Sequence, residues 1–135
     1  VGVADALPNF ISKQVLDASY FFLNLTPKAT EEFGVSCGGV EKCAPDYVVK
    51  RAEFDFVGIE FVLSGRARVT MGENSFELRP GSLFGYKPNT SLTIENSGAY
   101  SLTKYFVDLH GSAAEALFER SPLGDLSVLD FSGVR

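Results

Sequence analysis

The stretch from Val57 to Pro88 constrains this chain most. Four short runs follow one another with only a turn between neighbours: Val57–Ser64, Arg66–Met71, Glu73–Leu78 and Ser82–Pro88. Arg66-Ala67-Arg68-Val69-Thr70-Met71 alternates polar and apolar, the period of a half-buried strand. Ser64-Gly65 and Gly72-Glu73-Asn74 have the composition of hairpin turns, because Gly and Asn tolerate positive φ. Arg79-Pro80-Gly81 is a third break, with Pro80 fixing φ and withholding a ladder donor. Strands so short and so regularly spaced predict a sandwich or closed barrel rather than βαβ units.

The flanks extend the pattern. Ser19–Leu25 reads as a strand with an aromatic-rich buried side, and Pro27–Glu32 as a loop. Phe33–Cys37 and Tyr47–Arg51 read as strands, Pro45-Asp46 as a turn, and Ser91–Glu95 and Tyr100–Leu109 as the last strands. One helix is expected: Ser112-Ala-Ala-Glu115 has the form of a capping box, and Pro122 and Gly124 end the segment. The expectation is one domain over 1–135, with an N-terminal arm (1–16), a barrel (17–109), a helix (112–121) and a tail (122–135).

Composition narrows the function. With a formal net charge of -5, the phosphate-neutralising surface that nucleic acid needs is not evident in these residues. No run is apolar for long enough to span a membrane, and Val1–Asp5 lacks the form of a signal peptide, so a cytoplasmic location is expected. The 12 Phe and 5 Tyr suit a thick barrel core. Cys37-Gly-Gly-Val-Glu-Lys-Cys43 admits three readings: two reduced thiols packed at neighbouring strand ends, a disulfide across a hairpin at Gly38-Gly39, or half of a zinc site. The one histidine, His110, stands beside Gly111 at a strand-to-helix junction and reads as a surface or capping residue. No Gly-x-Ser-x-Gly elbow and no Gly-rich phosphate loop occurs, and no ligand cluster suggests a metal. No catalytic, metal or cofactor residue is assigned. Carboxylates, Lys and Tyr inside a barrel remain, and these serve ligand binding as well as acid–base chemistry.

Two resemblances follow from these motifs. Gly58–Ile94 resembles a cupin, through Phe61-Val-Leu-Ser-Gly65 and Pro80-Gly-Ser-Leu-Phe-Gly-Tyr-Lys-Pro88. The cupin metal positions correspond to Gly58 and Leu92, neither of which is a ligand. The order of Tyr47–Arg51, Glu60–Arg68, Leu78–Phe84 and Lys104–Gly111 more closely resembles the N-terminal effector-sensing and dimerisation domain of AraC-family transcription regulators, over roughly Asp17 to Ser121. The resemblance implies an all-β, cupin-like double-stranded β-helix barrel with one short C-terminal helix. It also implies a small-molecule effector, sugar-like or acidic, held inside the barrel, and a homodimer. DNA would be read only through a helix-turn-helix half that would follow Arg135. With Gly58 facing inward, Glu60, Val62 and Ser64 share its side. The ligand-binding candidates are Arg51, Glu60, Leu92, Ile94, Lys104 and Phe106. Glu60 can equally pair with Arg51 or Lys104 as a buried ion pair with no ligand. Phe84 and Tyr86 are expected in the core, Pro8 and Phe10 in an arm over the mouth or in a free tail, and Ala113–Arg120 in a dimer face or against the barrel's outside. The alternative reading is a metal-free cupin-fold enzyme acting on a small carbohydrate or acid.

Overall fold

Ten strands and two helices make up the computed structural model, which describes residues 7–133. In chain order these are β1 (Val15–Phe22), β2 (Gly34–Cys43), β3 (Val48–Arg51), β4 (Val57–Ser64), β5 (Ala67–Met71), β6 (Asn74–Leu78), β7 (Ser82–Tyr86), β8 (Leu92–Asn96), β9 (Leu102–His110), α1 (Ser112–Arg120), α2 (Pro122–Leu126) and β10 (Val128–Asp130). They form a six-stranded sheet, β1-β2-β9-β4-β7-β10, and a four-stranded sheet, β3-β8-β5-β6. All pairings are antiparallel. The two ladders do not join into a closed ring. The architecture is the cupin β-sandwich, a flattened barrel.

The apolar core lies between the sheets. Val62, Phe84, Tyr86 and Leu102 from the larger sheet meet Val49, Val69, Leu78, Leu92 and Ile94 from the smaller one. A second cluster lies outside the larger sheet, where Ala114, Phe118 and Leu123 of the helices pack on Val57, Ile59 and Leu83. The buried side of α1 therefore covers the barrel's outside, while Leu117 stays 55% exposed. Gly85 has no side chain because Phe118 occupies that space.

Several expectations need correction. There are two helices, since Pro122 ends α1 and then starts α2 at its first turn. The capping box does not form. Gly111 is the N-cap, at φ 107, and no side chain caps the helix. Gly111 packs so closely on Glu32 that a Cβ would clash, and the Glu32 carbonyl accepts from the Ala113 amide at 2.8 Å. A loop backbone thus takes the role foreseen for Ser112. Ser64 is exposed rather than inward, because the β4–β9 pairing is irregular between Val62 and Ser64 and the alternation breaks there. β1 starts at Val15 and is an edge strand, so Phe21 and Phe22 stay 45% and 40% exposed instead of buried. β2 runs straight through Gly38-Gly39. Cys37 and Cys43 therefore lie on one strand, about 20 Å apart at the usual rise per residue. Both are buried free thiols. Burial raises each of them, Cys43 to about 12, so neither is a nucleophile near neutral pH.

His110 is also buried, not a surface or capping residue. It shares a 2.6 Å hydrogen bond with Ser36 Oγ through Nδ1 and a 3.0 Å one with Glu31 Oε2 through Nε2. With the Ala113–Glu32 bond, this staples the loop before β2 to the β9–α1 junction.

Candidate functional site

The inner face of the six-stranded sheet holds the charged groups in register. Cys37, Asp108, Gly58 and Tyr86 are successive cross-strand partners. Beside them run Gly39, Phe106, Glu60 and Phe84. In the adjacent row Glu41 faces Lys104, which faces Val62. Pleating puts alternate residues on one face, so these side chains all point into the sandwich.

Lys104 is the hub. Its Nζ donates to Glu60 Oε1 at 2.6 Å and to Glu41 Oε1 at 2.9 Å, and all three side chains are at most 5% exposed. Tyr47 and Phe106 each present a ring 5.5 Å from the ammonium. The second oxygen of each carboxylate is bound too. Tyr86 donates to Glu60 Oε2 at 2.5 Å, and Tyr20 to Glu41 Oε2 at 2.6 Å. Arg51 donates to the Tyr86 oxygen at 3.1 Å and to the Phe10 carbonyl at 3.3 Å. One continuous chain of hydrogen bonds therefore links the N-terminal arm, through Arg51, Tyr86, Glu60, Lys104 and Glu41, to Tyr20 on the edge strand.

The electrostatics follow from this wiring. Burial pushes the Glu60 carboxyl upward, but Lys104 and Arg51 outweigh it and hold it below the usual range. Burial lowers Lys104, and Glu60 with Tyr47 and Glu41 more than reverses this, so it stays protonated. Burial lifts the phenols of Tyr20, Tyr47 and Tyr86. Asp108 differs: burial raises it to about 7, and its Oδ2 accepts only from the Cys37 thiol, at 3.2 Å.

Of the predicted site residues, Arg51, Glu60, Lys104 and Phe106 line one small cavity together with Glu41 and Tyr47. Leu92 and Ile94 are buried in the apolar core instead, 4% and 1% exposed, and are not among its lining residues. Phe10, Ile11 and Ser12 of the arm close the mouth, which leaves about 10 Å³, room for roughly one water. Phe10 sits edge-on to Phe54 and Phe56, at 5.4 and 6.0 Å between centroids, and Arg51 stacks on Phe54 at 4.3 Å.

Glu41, Tyr20 and Asp108 were not predicted. The parity of Lys104, Phe106, Asp108 and His110 carried a signal for Asp108, since all four share one face of β9. Glu41 gave none, because the strand expected over Phe33–Cys37 ends before it.

Gly58 decides how Tyr86 lies. A Cβ there would fall within the Tyr86 ring, so the phenol reaches Glu60 only because residue 58 has no side chain. Gly58→Ala is expected to displace Tyr86 and to lower stability by about 1–3 kcal/mol, the usual range for overpacking, measurable by urea denaturation. Gly58 and Leu92, which the cupin resemblance sets at metal positions, carry no ligating side chain, and no group of three or more His, Cys, Asp or Glu is placed to hold a metal among the described residues.

A family model described as the AraC-like ligand binding domain matches residues 35–131. The chain belongs to that family. Comparison with curated proteins finds no match. Among solved structures, the AraC-like domain is similar to the YhaK protein of Escherichia coli (17% identity, 86% of this chain and 51% of that one, TM-score 0.61). It is also similar to the Cnp3 cupin domain of Schizosaccharomyces pombe (14%, 78% and 70%, TM-score 0.57). A predicted oxalate decarboxylase of Thermotoga maritima shares the fold as well (19%, 55% and 65%, TM-score 0.50). The chain spans about half the length of YhaK. At these identities the likeness shows the cupin fold alone.

Proposed function

We propose that this AraC-like domain senses a small, neutral, hydroxyl-rich molecule between its sheets, without transforming it. The observation that carries this is the ion cluster around Lys104. Each oxygen of Glu41 and Glu60 already accepts one hydrogen bond and keeps a second lone pair free. The cavity wall is thus rich in acceptors and calls for a ligand that brings donors. A sugar-like polyol supplies them. A dicarboxylate brings only acceptors, and the carboxylate of any small acid has to take Lys104 from two carboxylates already in place.

Protonation states support binding over catalysis. Lys104 and the tyrosines keep their protons and Glu60 stays ionised, so none is poised to exchange a proton near neutral pH. The alternative, a metal-free cupin-fold enzyme acting on a small carbohydrate or acid, has one group in its favour, Asp108 at about 7. That carboxyl is 1% exposed.

The ligand has to displace Phe10, Ile11 and Ser12, because the cavity they close is too small for a sugar. Binding is then a population shift between arm arrangements. Family membership supports an effector role in transcription regulation, in a cytoplasmic homodimer whose DNA contacts lie in a helix-turn-helix segment outside these residues. The exposed side of α1, around Leu117, is the candidate dimer face.

The test is a thermal-shift series with neutral monosaccharides and polyols against sugar acids and dicarboxylates. A neutral polyol at about 100 times its Kd stabilises the fold by about 2.7 kcal/mol, a shift of several degrees in Tm, while acids give none. Stabilisation by acids alone overturns the ligand class. Turnover of a carbohydrate by the purified protein overturns the non-enzymatic reading.

A further inference from the structure

We propose that Asp108 and Arg51 form a proton-operated latch on the N-terminal arm: with Asp108 protonated, Arg51 holds the arm shut, and with Asp108 ionised, Arg51 turns to the carboxylate and releases it. The observation is a pair of unmet atoms. Arg51 Nε and Asp108 Oδ1 are the buried side-chain nitrogen and oxygen atoms without a hydrogen-bond partner among the described residues. One is a donor and the other an acceptor, and such orphans are uncommon in folded proteins.

Both flank Tyr86. Arg51 binds the Tyr86 oxygen. Asp108 and Tyr86 are the two cross-strand neighbours of Gly58, and the Tyr86 ring lies over that glycine. The titratable groups around Asp108 are Cys37 on β2, Arg51 on β3, Glu60 on β4, Tyr86 on β7 and Lys104 on its own strand. Lys104 is committed to Glu41 and Glu60. Burial holds the protons on Cys37 and Tyr86. Arg51 is therefore the cation with an unassigned N–H to answer a charge on Asp108.

Arg51 is also what grips the arm. Its Nη2 donates to the Phe10 carbonyl, and its guanidinium stacks on Phe54, against which Phe10 packs. Turning toward Asp108 withdraws both contacts together. A group that burial raises to about 7 places the transition near neutral pH.

The test needs no ligand, so its failure leaves the sensing reading intact. Trypsin cleaves after Lys13 in the arm. Cleavage at this bond is followed from pH 6 to 8.5 in the wild type and in Asp108→Asn, with each rate divided by that of the variant at the same pH to remove the protease's own dependence. The expected ratio rises at least fivefold between pH 6 and 8.5. A ratio that stays flat, or falls, overturns the latch. Crystals of the wild type grown at pH 6 and at 8.5 give a second readout that needs no variant. The expected change is Arg51 leaving the Phe10 carbonyl for Asp108. An ordered water bridging Arg51 Nε and Asp108 Oδ1 at both pH values, with the arm in place, overturns it equally.

Discussion

Lys104→Met lowers the stability of this domain by about 3–5 kcal/mol, the usual effect of removing one partner from a buried ion cluster. Methionine is close to lysine in length and lacks its charge, so packing changes little. What changes is that Glu41 and Glu60, 4% and 2% exposed, lose their shared counter-ion. At a few degrees per kcal/mol for a domain of this size, Tm falls by roughly 10 °C or more. The sign with pH separates this from a packing defect. In the wild type Glu60 is held below its usual range, so its contribution is present above the unfolded carboxylate range and is lost as pH falls through the folded value. In the variant burial acts without Lys104, and the folded value rises. The deficit is then largest near neutral pH and shrinks toward pH 4.5. Urea denaturation at both pH values measures it. The triple variant Lys104→Met, Glu41→Gln, Glu60→Gln recovers most of the loss, because the isolated charges go with their partner. A loss below about 1 kcal/mol, typical of a solvent-exposed pair, contradicts the dry cluster.

The parts of this fold that could be read from the sequence are those where one residue does one job. Gly65 and Gly81 sit at φ 86 and 98, in turns that need the left-handed region. The alternation of Ala67–Met71 matches a strand with a single buried side. Gly38-Gly39 misled because glycine there has a different job. Side chains at these positions would collide with the rings of Phe21 and Tyr20 laid over β2. A pair that looks like a turn is space for neighbours from another strand, which nothing local reveals. Ending the strand at Cys37, ahead of this pair, hid Glu41 and with it half of the Lys104 cluster. Glu60 and Lys104 were legible because inward parity on β4 and β9 follows from Gly58 and from the resemblance. Tyr86 was assigned to the core, and it does pack there. Its hydroxyl also joins Arg51 to Glu60, and that bond depends on the absent side chain at Gly58. Ser64 failed through a local irregularity in pairing, which alternation does not anticipate.

Asp108→Asn stabilises the protein above neutral pH, although it removes a buried side chain's natural charge. The folded carboxyl sits near 7 against an ordinary value of 3.8. Between these values the folded state binds more protons than the unfolded one, so wild-type stability declines as pH rises from about 4 to about 7 and then levels off. A separation of about three units corresponds to roughly 4 kcal/mol at most. A folded value near 7 already includes what Arg51 contributes, so a loss of about 4 kcal/mol is expected. Asparagine cannot ionise and therefore lacks this decline. It keeps an oxygen that can accept from the Cys37 thiol, and its amide adds a donor of the kind a protonated carboxyl has. Below pH 4.5 the two proteins unfold within about 1 kcal/mol of each other, and by pH 8 the variant's Tm exceeds the wild type's by roughly 10 °C. Differential scanning calorimetry across pH 4–8.5 reads both limbs. Parallel curves mean that Asp108 is ionised throughout, with its charge already met in the closed state. A variant less stable at pH 8 means that the ionised carboxylate contributes favourably to the fold.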